Sequence, residues 1–157
     1  MRERGFAARW VAPERYHLTV AFLGMVDEVR LDEIAARVRS AVAAATPFDL
    51  PLDAVGAFPD AEHVRVAWVG ARDAQPAFAA LCTGVREALH PLGFTFEDDA
   101  VPHVTLARAD GSPRLPSVAA PRGLVLKTAS LALFRSSSEA GGTRHVALNR
   151  FPFAHHG

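Results

Sequence analysis

Apolar positions along the chain alternate between two periods. "RYHLTVAFLG" is rich in aromatic and β-branched residues and stops at a glycine, so residues 16–23 are expected to form a strand. In "DEVRLDEIAARVRSAVAAA" the apolar residues Val29, Leu31, Ile34, Val38 and Val42 recur at helical spacing, with acids early and arginines late, and Thr46 and Pro47 end the run. "FDLPLDAVGAF" and "HVRVAWVGA" are expected as two strands around a "PDAE" turn. "DAQPAFAALCTGVREALHPLG" reads as a second helix: Asp73 is placed to cap it, Pro76 lies in its first turn, and Gly93 follows its end. Phe78, Leu81, Val85 and Leu89 would form its buried face. A further strand is expected over 102–107, then a Pro- and Gly-containing loop to about 122. "GLVLKTASLALFRS" and "RHVALNRFPF" close the chain as a hairpin around "SEAGG".

One phrase recurs within this order. "PERYHLTVAFLG" and "AVPHVTLARADG" each spell His-x-Thr-x on an expected strand. Successive side chains on a strand face opposite ways, so His17 and Thr19 share one face and Leu18 and Val20 the other. The same parity groups His103 with Thr105 against Val104 and Leu106. Each copy therefore has an aliphatic side to bury and a polar side carrying an imidazole and a hydroxyl.

Length and composition narrow the setting. With 157 residues, 50% hydrophobic and 22% charged, the chain is one ordinary globular domain. No apolar run approaches a membrane span, and "MRERGFAARW" lacks the apolar segment of a secretory signal, so the cytoplasm is the expected location. A single cysteine, Cys82, excludes an internal disulfide framework and a cysteine-based zinc site. The zero net charge hides an asymmetry: residues 107–157 hold seven Arg or Lys against Asp110 and Glu139. Such a segment suits an anionic partner, such as phosphate or RNA, but equally describes arginines scattered over a solvated surface.

Two imidazoles and two hydroxyls brought into one cleft form a kit for cleaving a phosphodiester without a metal. Displacement at phosphorus needs a base for the attacking water and an acid for the departing oxygen, and histidine can serve as either. Hydroxyls can donate to the non-bridging oxygens as charge builds there. A single His-x-Thr-x is weak evidence, since a histidine in an apolar strand is commonly structural. A metal site fits less well: neither histidine has a paired ligand at i+2 or i+4, and Asp98 and Asp99 precede the motif in an expected loop.

With both motifs in view, the chain resembles the 2H phosphoesterase superfamily, and within it the RNA 2′,3′-cyclic phosphodiesterases, also called 2′-5′ RNA ligases. "RWVAPERYHLTVAFLG" is similar to the first family motif, "PHVTLAR" to the second, and "LALFRSS…GGTRHVAL" to the closing hairpin. The resemblance implies an α+β, two-lobed fold with pseudo-twofold antiparallel sheets, a central cleft and helices on the outer faces. It implies cofactor-free hydrolysis of RNA 3′ ends or cyclic nucleotides carrying a 2′,3′-cyclic phosphate, leaving a 2′-phosphate. The catalytic histidines fall on His17 and His103 and the phosphate-binding threonines on Thr19 and Thr105. By analogy His17 is the acid and His103 the base. Arg108 matches a phosphate-contacting arginine, although strict alternation points it away from His103; Phe22 and Arg135 are further candidates for the cleft wall. The same site on another substrate, including ligation of RNA ends, and a binding module without activity remain the alternatives.

The chain departs from the family in two places. His145 stands where the family commonly has Tyr. The family also opens with a strand of the type Arg-aromatic-Phe-aliphatic-Ala and a helix before "RWV", and neither is in this sequence. Laying the two halves over one another finds the same deficit: the first half matches only the tail of the strand–helix–strand unit in the second. The expectation is an upstream start or a truncated form, with self-association through the uncovered N-terminal edge. His63, His90, His155 and His156 are expected on the surface or in loops.

Overall fold

The computed structural model describes residues 6–96, 100–111, 113–139 and 142–154. They contain two helices and eight strands and divide into two compact units. One unit is Met1–Leu18, Pro51–Ala74 and Val101–Leu126; the other is Thr19–Leu50, Gln75–Ala100 and Lys127–Gly157. The α+β class follows from the sequence as expected.

The first unit is built on a four-stranded sheet of β1 (Ala8–Trp10), β3 (Ala54–Phe58), β4 (Val66–Gly70) and β5 (His103–Ala109), in the order β1-β5-β4-β3. All its pairings are antiparallel. One face closes over a core of Phe6, Val64, Ala67 and Ala107, with Ala8, Trp10, Ala57, Ala109 and Leu115 packed against it. Small residues on the inner strands let Trp10 and Phe6 approach, and their rings meet edge to face at 6.4 Å.

The strand expected over 16–23 does not form. Pro13, which has no N–H to offer a ladder, opens a 3-10 turn at Pro13–Arg15, and the chain rejoins β5 for a single bridge, Leu18↔Val104. The regular pairing in this part of the chain belongs instead to β1, whose residues Ala8, Arg9 and Trp10 face Ala109, Arg108 and Ala107. β-branched and aromatic composition favours a strand only where a partner lies alongside.

In the second unit α1 (Leu31–Val42) buries Ile34, Ala35, Val38 and Val42, with Asp32 and Glu33 in its first turn and Arg39 in its last. Val29 is not part of this stripe: it sits in a 3-10 turn, Glu28–Arg30, and is exposed. The Asp27 carboxylate accepts from the Val29 N–H, which starts that turn ahead of the helix proper. α2 (Pro76–Leu89) buries Phe78, Cys82, Val85 and Leu89. Cys82, four residues after Phe78, occupies the stripe where Leu81 was expected, and Gln75 rather than Asp73 holds the cap position. Gly93 ends the element as expected, with φ 85° in the left-handed region and its N–H donating to the His90 carbonyl.

Two expected strands are each divided. "FDLPLDAVGAF" becomes β2 (Phe48–Pro51) and β3; "GLVLKTASLALFRS" becomes β6 (Val125–Thr128) and β7 (Ser130–Glu139). β2 pairs with β6, and Lys127 reaches the Asp49 carboxylate at 3.0 Å. β7 pairs with β8 (Gly142–Pro152) as the closing ribbon. α1 packs on β8, where the Arg39 guanidinium lies 5.6 Å from the centre of the Phe151 ring. Full burial of Phe78, Phe151, Ile34 and Leu89 contributes about 1.5–3 kcal/mol per side chain, so the helices are held by this shared apolar layer.

Candidate active site

The central strand of the first unit's sheet carries the second motif. β4 is regular from Val66 to Gly70, so Ala67 and Val69 share one face and Val66, Trp68 and Gly70 the other. Residues paired across an antiparallel ladder lie on the same side. Val104 faces Val69 and Ala107 faces Ala67, and all four are buried. His103 faces Gly70, Thr105 faces Trp68 and Arg108 faces Val66, so these three stand together on the opposite side.

Arg108 reaches that side through an irregularity. The register shifts between Ala67 and Trp68, whose partners are Ala107 and Thr105, which leaves Leu106 as an extra residue in β5. A bulge of this kind reverses the alternation after it. The expectation that Arg108 points away from His103 is therefore corrected. Arg9, paired with Arg108, forms an ion pair with Asp110 at 3.3 Å and so does not leave two uncompensated cations side by side.

From the first motif, Leu18 alone reaches this sheet, through a single antiparallel bridge to Val104. The bridge joins Leu18 and Val104, the residues that follow His17 and His103 in the two motifs.

Both imidazoles are oriented by the same local device. Nδ1 of His17 donates to the Arg15 carbonyl oxygen at 2.8 Å, and Nδ1 of His103 donates to the Val101 carbonyl oxygen at 2.8 Å. In each case the acceptor lies two residues upstream. A carbonyl oxygen only accepts, so Nδ1 keeps its proton and exchange with a reacting group runs through Nε2. Neutral, Nε2 accepts a proton; protonated, it donates one.

Two aromatic residues that the sequence did not single out complete this face. Phe58 meets His103 edge to face, with ring centres 4.9 Å apart and planes at 83°. Trp68 lies 6.0 Å from His103 and 5.5 Å from Phe58. The indole occupies space that Gly56 leaves open: a Cβ there would overlap the six-membered ring of Trp68, and one at Gly70 would overlap the Pro102 carbonyl oxygen. The buried Trp68 indole N–H has no acceptor among the described residues. The available signal was the pairing of a glycine strand with a tryptophan strand, "VGAF" and "VAWVG", which becomes legible only with the register.

The remaining candidates belong to the second unit. Thr19 is exposed just past the unit boundary, and Phe22 is exposed at 78%. Arg135 is paired with Glu28. His145, in the closing ribbon, lies 2.9 Å from the Ser136 hydroxyl and edge to face with Phe134. His63 is exposed in a turn where Asp60 accepts from its backbone N–H, and His90 is also exposed. Hydrogen bonds from the His63 and Glu62 N–H groups hold the Asp60 carboxyl below the ordinary carboxylate range. Asp98, Asp99, His155 and His156 lie outside the described residues. Among the described residues no three His, Cys, Asp or Glu side chains gather as a metal would require, and no helix is long and apolar enough to cross a membrane.

Residues 2–130 match the family described as the 2′-5′ RNA ligase superfamily. The chain is 35% identical over 113 residues to an RNA 2′,3′-cyclic phosphodiesterase of Thermotoga maritima, covering 72% of this chain and 60% of the relative. It is 33% identical to the protein of the same name from Methanothermobacter thermautotrophicus, covering 66% and 55%. The chain thus spans less than two thirds of the length of these relatives. Among solved structures, E. coli LigT in apo form superposes with a TM-score of 0.81 at 27% identity, covering 98% of this chain and 87% of that one. E. coli LigT complexed with 3′-AMP gives a TM-score of 0.82 at 26% identity, covering 96% and 83%. The match over residues 2–130, the identity to these relatives and the shared α+β fold together establish that the chain belongs to the 2′-5′ RNA ligase superfamily.

Proposed function

We propose that the chain hydrolyses 2′,3′-cyclic phosphates at RNA 3′ ends or on nucleosides, with His17 and His103 as the acid–base pair and neither metal nor cofactor. The observation that carries this reading is the matched tethering of the two imidazoles, each by Nδ1 to the carbonyl two residues before it. The relatives named RNA 2′,3′-cyclic phosphodiesterase support the choice of substrate. Water attacks phosphorus and gives its proton to Nε2 of His103; the bond from phosphorus to O3′ breaks; Nε2 of His17 protonates O3′, and a 2′-phosphate remains. Thr105, and Thr19 by the first motif, donate to the non-bridging oxygens, and Arg108 adds a positive charge. Phe22 offers an exposed ring for a base to stack on, and Arg135 a further contact to the anion.

The test is hydrolysis of nucleoside 2′,3′-cyclic phosphates by the purified chain in EDTA, with the product isomer identified. The expected product is the 2′-phosphate, the rate follows a bell-shaped pH profile, and His17→Ala and His103→Ala each reduce it to near background. Binding without turnover, a 3′-phosphate product, or a requirement for added divalent metal would each overturn the reading.

A further inference from the structure

We infer that Phe58 and Trp68 are positioning residues for His103, confining its imidazole so that Nε2 faces the reacting phosphate. The inference rests on the proposed acid–base role of His103, but its structural core does not. A hydrogen bond from Nδ1 to the Val101 carbonyl fixes one point of the ring and leaves it free to pivot about that point. Phe58 and Trp68 remove that freedom. They come from two different strands, β3 and β4, and meet the imidazole at inclinations of 83° and 55°, so each blocks a different rotation. The two rings also pack against one another, with their centres 5.5 Å apart.

The sheet bears costs to keep this arrangement. Gly56 and Gly70 leave open the space that the indole and the Pro102 carbonyl occupy, although glycine weakens a strand. The indole N–H is buried without an acceptor among the described residues, whereas phenylalanine would fill much of the same space with no polar group to satisfy. A role in packing alone would favour the phenylalanine. A role in holding His103 explains the larger ring, since the indole spans from Gly56 toward the imidazole.

The experiment compares Phe58→Leu, Phe58→Tyr, Trp68→Phe and Trp68→Leu in the full chain. Kinetics on a nucleoside 2′,3′-cyclic phosphate are read beside the tautomer of His103, followed by nitrogen-15 chemical shifts of its ring. Phe58→Leu and Trp68→Leu are expected to lower kcat by about tenfold to a hundredfold with KM changed less than about threefold, the penalty for a displaced reacting group. In the same variants the His103 ring shifts from the pure Nδ1–H form to a mixture of tautomers. Phe58→Tyr, which keeps the ring, restores both readouts, and Trp68→Phe falls between. In a His103→Ala background the leucine substitutions have no further effect on kcat. Unchanged kcat and an unchanged His103 tautomer in folded Trp68→Leu or Phe58→Leu overturn the inference, as does an equal loss of rate in the His103→Ala background. Should His103→Ala itself retain full activity, the proposed function fails while the tautomer shift still decides the positioning.

Discussion

Arg108 stands on the same face of the sheet as Thr105, three residues before it, because Leu106 is an extra residue in β5. An unbroken strand would turn the guanidinium toward the side where Ala67 and Ala107 are fully buried. The bulge instead puts the half-buried His103 and Thr105 and the exposed Arg108 on one face. Arg108→Ala is expected to lower kcat/KM for a cyclic phosphate by about tenfold to a hundredfold, the worth of one or two charge-assisted contacts. Arg108→Lys recovers part of the loss, because it keeps the charge and gives up the planar fork. Since the side chain is exposed, the urea midpoint stays unchanged in both variants; a wild-type rate in Arg108→Ala would remove the residue from the site.

Gly56 has no Cβ where the Trp68 indole lies. Gly56→Ala is expected to destabilise the chain by about 1–3 kcal/mol, as overpacking does, and to displace the indole. Tryptophan fluorescence should shift and activity fall together in the folded variant. Gly93→Ala serves as the comparison: it strains a left-handed residue and leaves both the spectrum and the rate alone.

Cys82 is buried in α2, and desolvation pushes its thiol up to about 11, against a smaller opposing pull from Arg86. The folded thiol should resist alkylation at pH 8 and react fully once the chain is unfolded in urea. Because the folded state holds this proton more tightly than the unfolded one, stability from this group is complete below about pH 9 and is lost as pH rises toward about 11. Cys82→Ala should flatten that alkaline decline in a urea titration; an equally steep decline would assign it to other groups.

Phe78 is 2% exposed and anchors the apolar stripe of α2, whereas Met25 is fully exposed. Phe78→Ala should cost about 3–5 kcal/mol and lower the urea midpoint. Met25→Ala should stay within about 0.5 kcal/mol. Comparable losses in the two variants would contradict the assigned core.

Much of this structure was legible in the chain because it depends on local spacing. The stripe through Ile34, Val38 and Val42, the stop at Gly93 and the strand around His103 are all matters of neighbouring residues. The misreadings share one cause. Residues 16–23 have strand composition, yet only Leu18 finds a bridge partner, and Val29 has helical spacing but falls in the turn before α1. Composition gives a preference for an element; a partner strand or a cap decides whether it forms.

The repeated spacing by itself makes His17, Thr19, His103 and Thr105 candidates, for chemistry that two imidazoles and two hydroxyls would suit. That spacing could not say that a bulge would return Arg108 to the side of His103 and Thr105, or that Phe58 and Trp68 would close on His103. Those depend on the pairing of Thr105 with Trp68 and of Trp68 with Gly56, residues far apart in the chain. Side-chain direction on a strand is local only while alternation is unbroken. Once a residue is inserted, the neighbouring strand decides which way the rest of the chain faces.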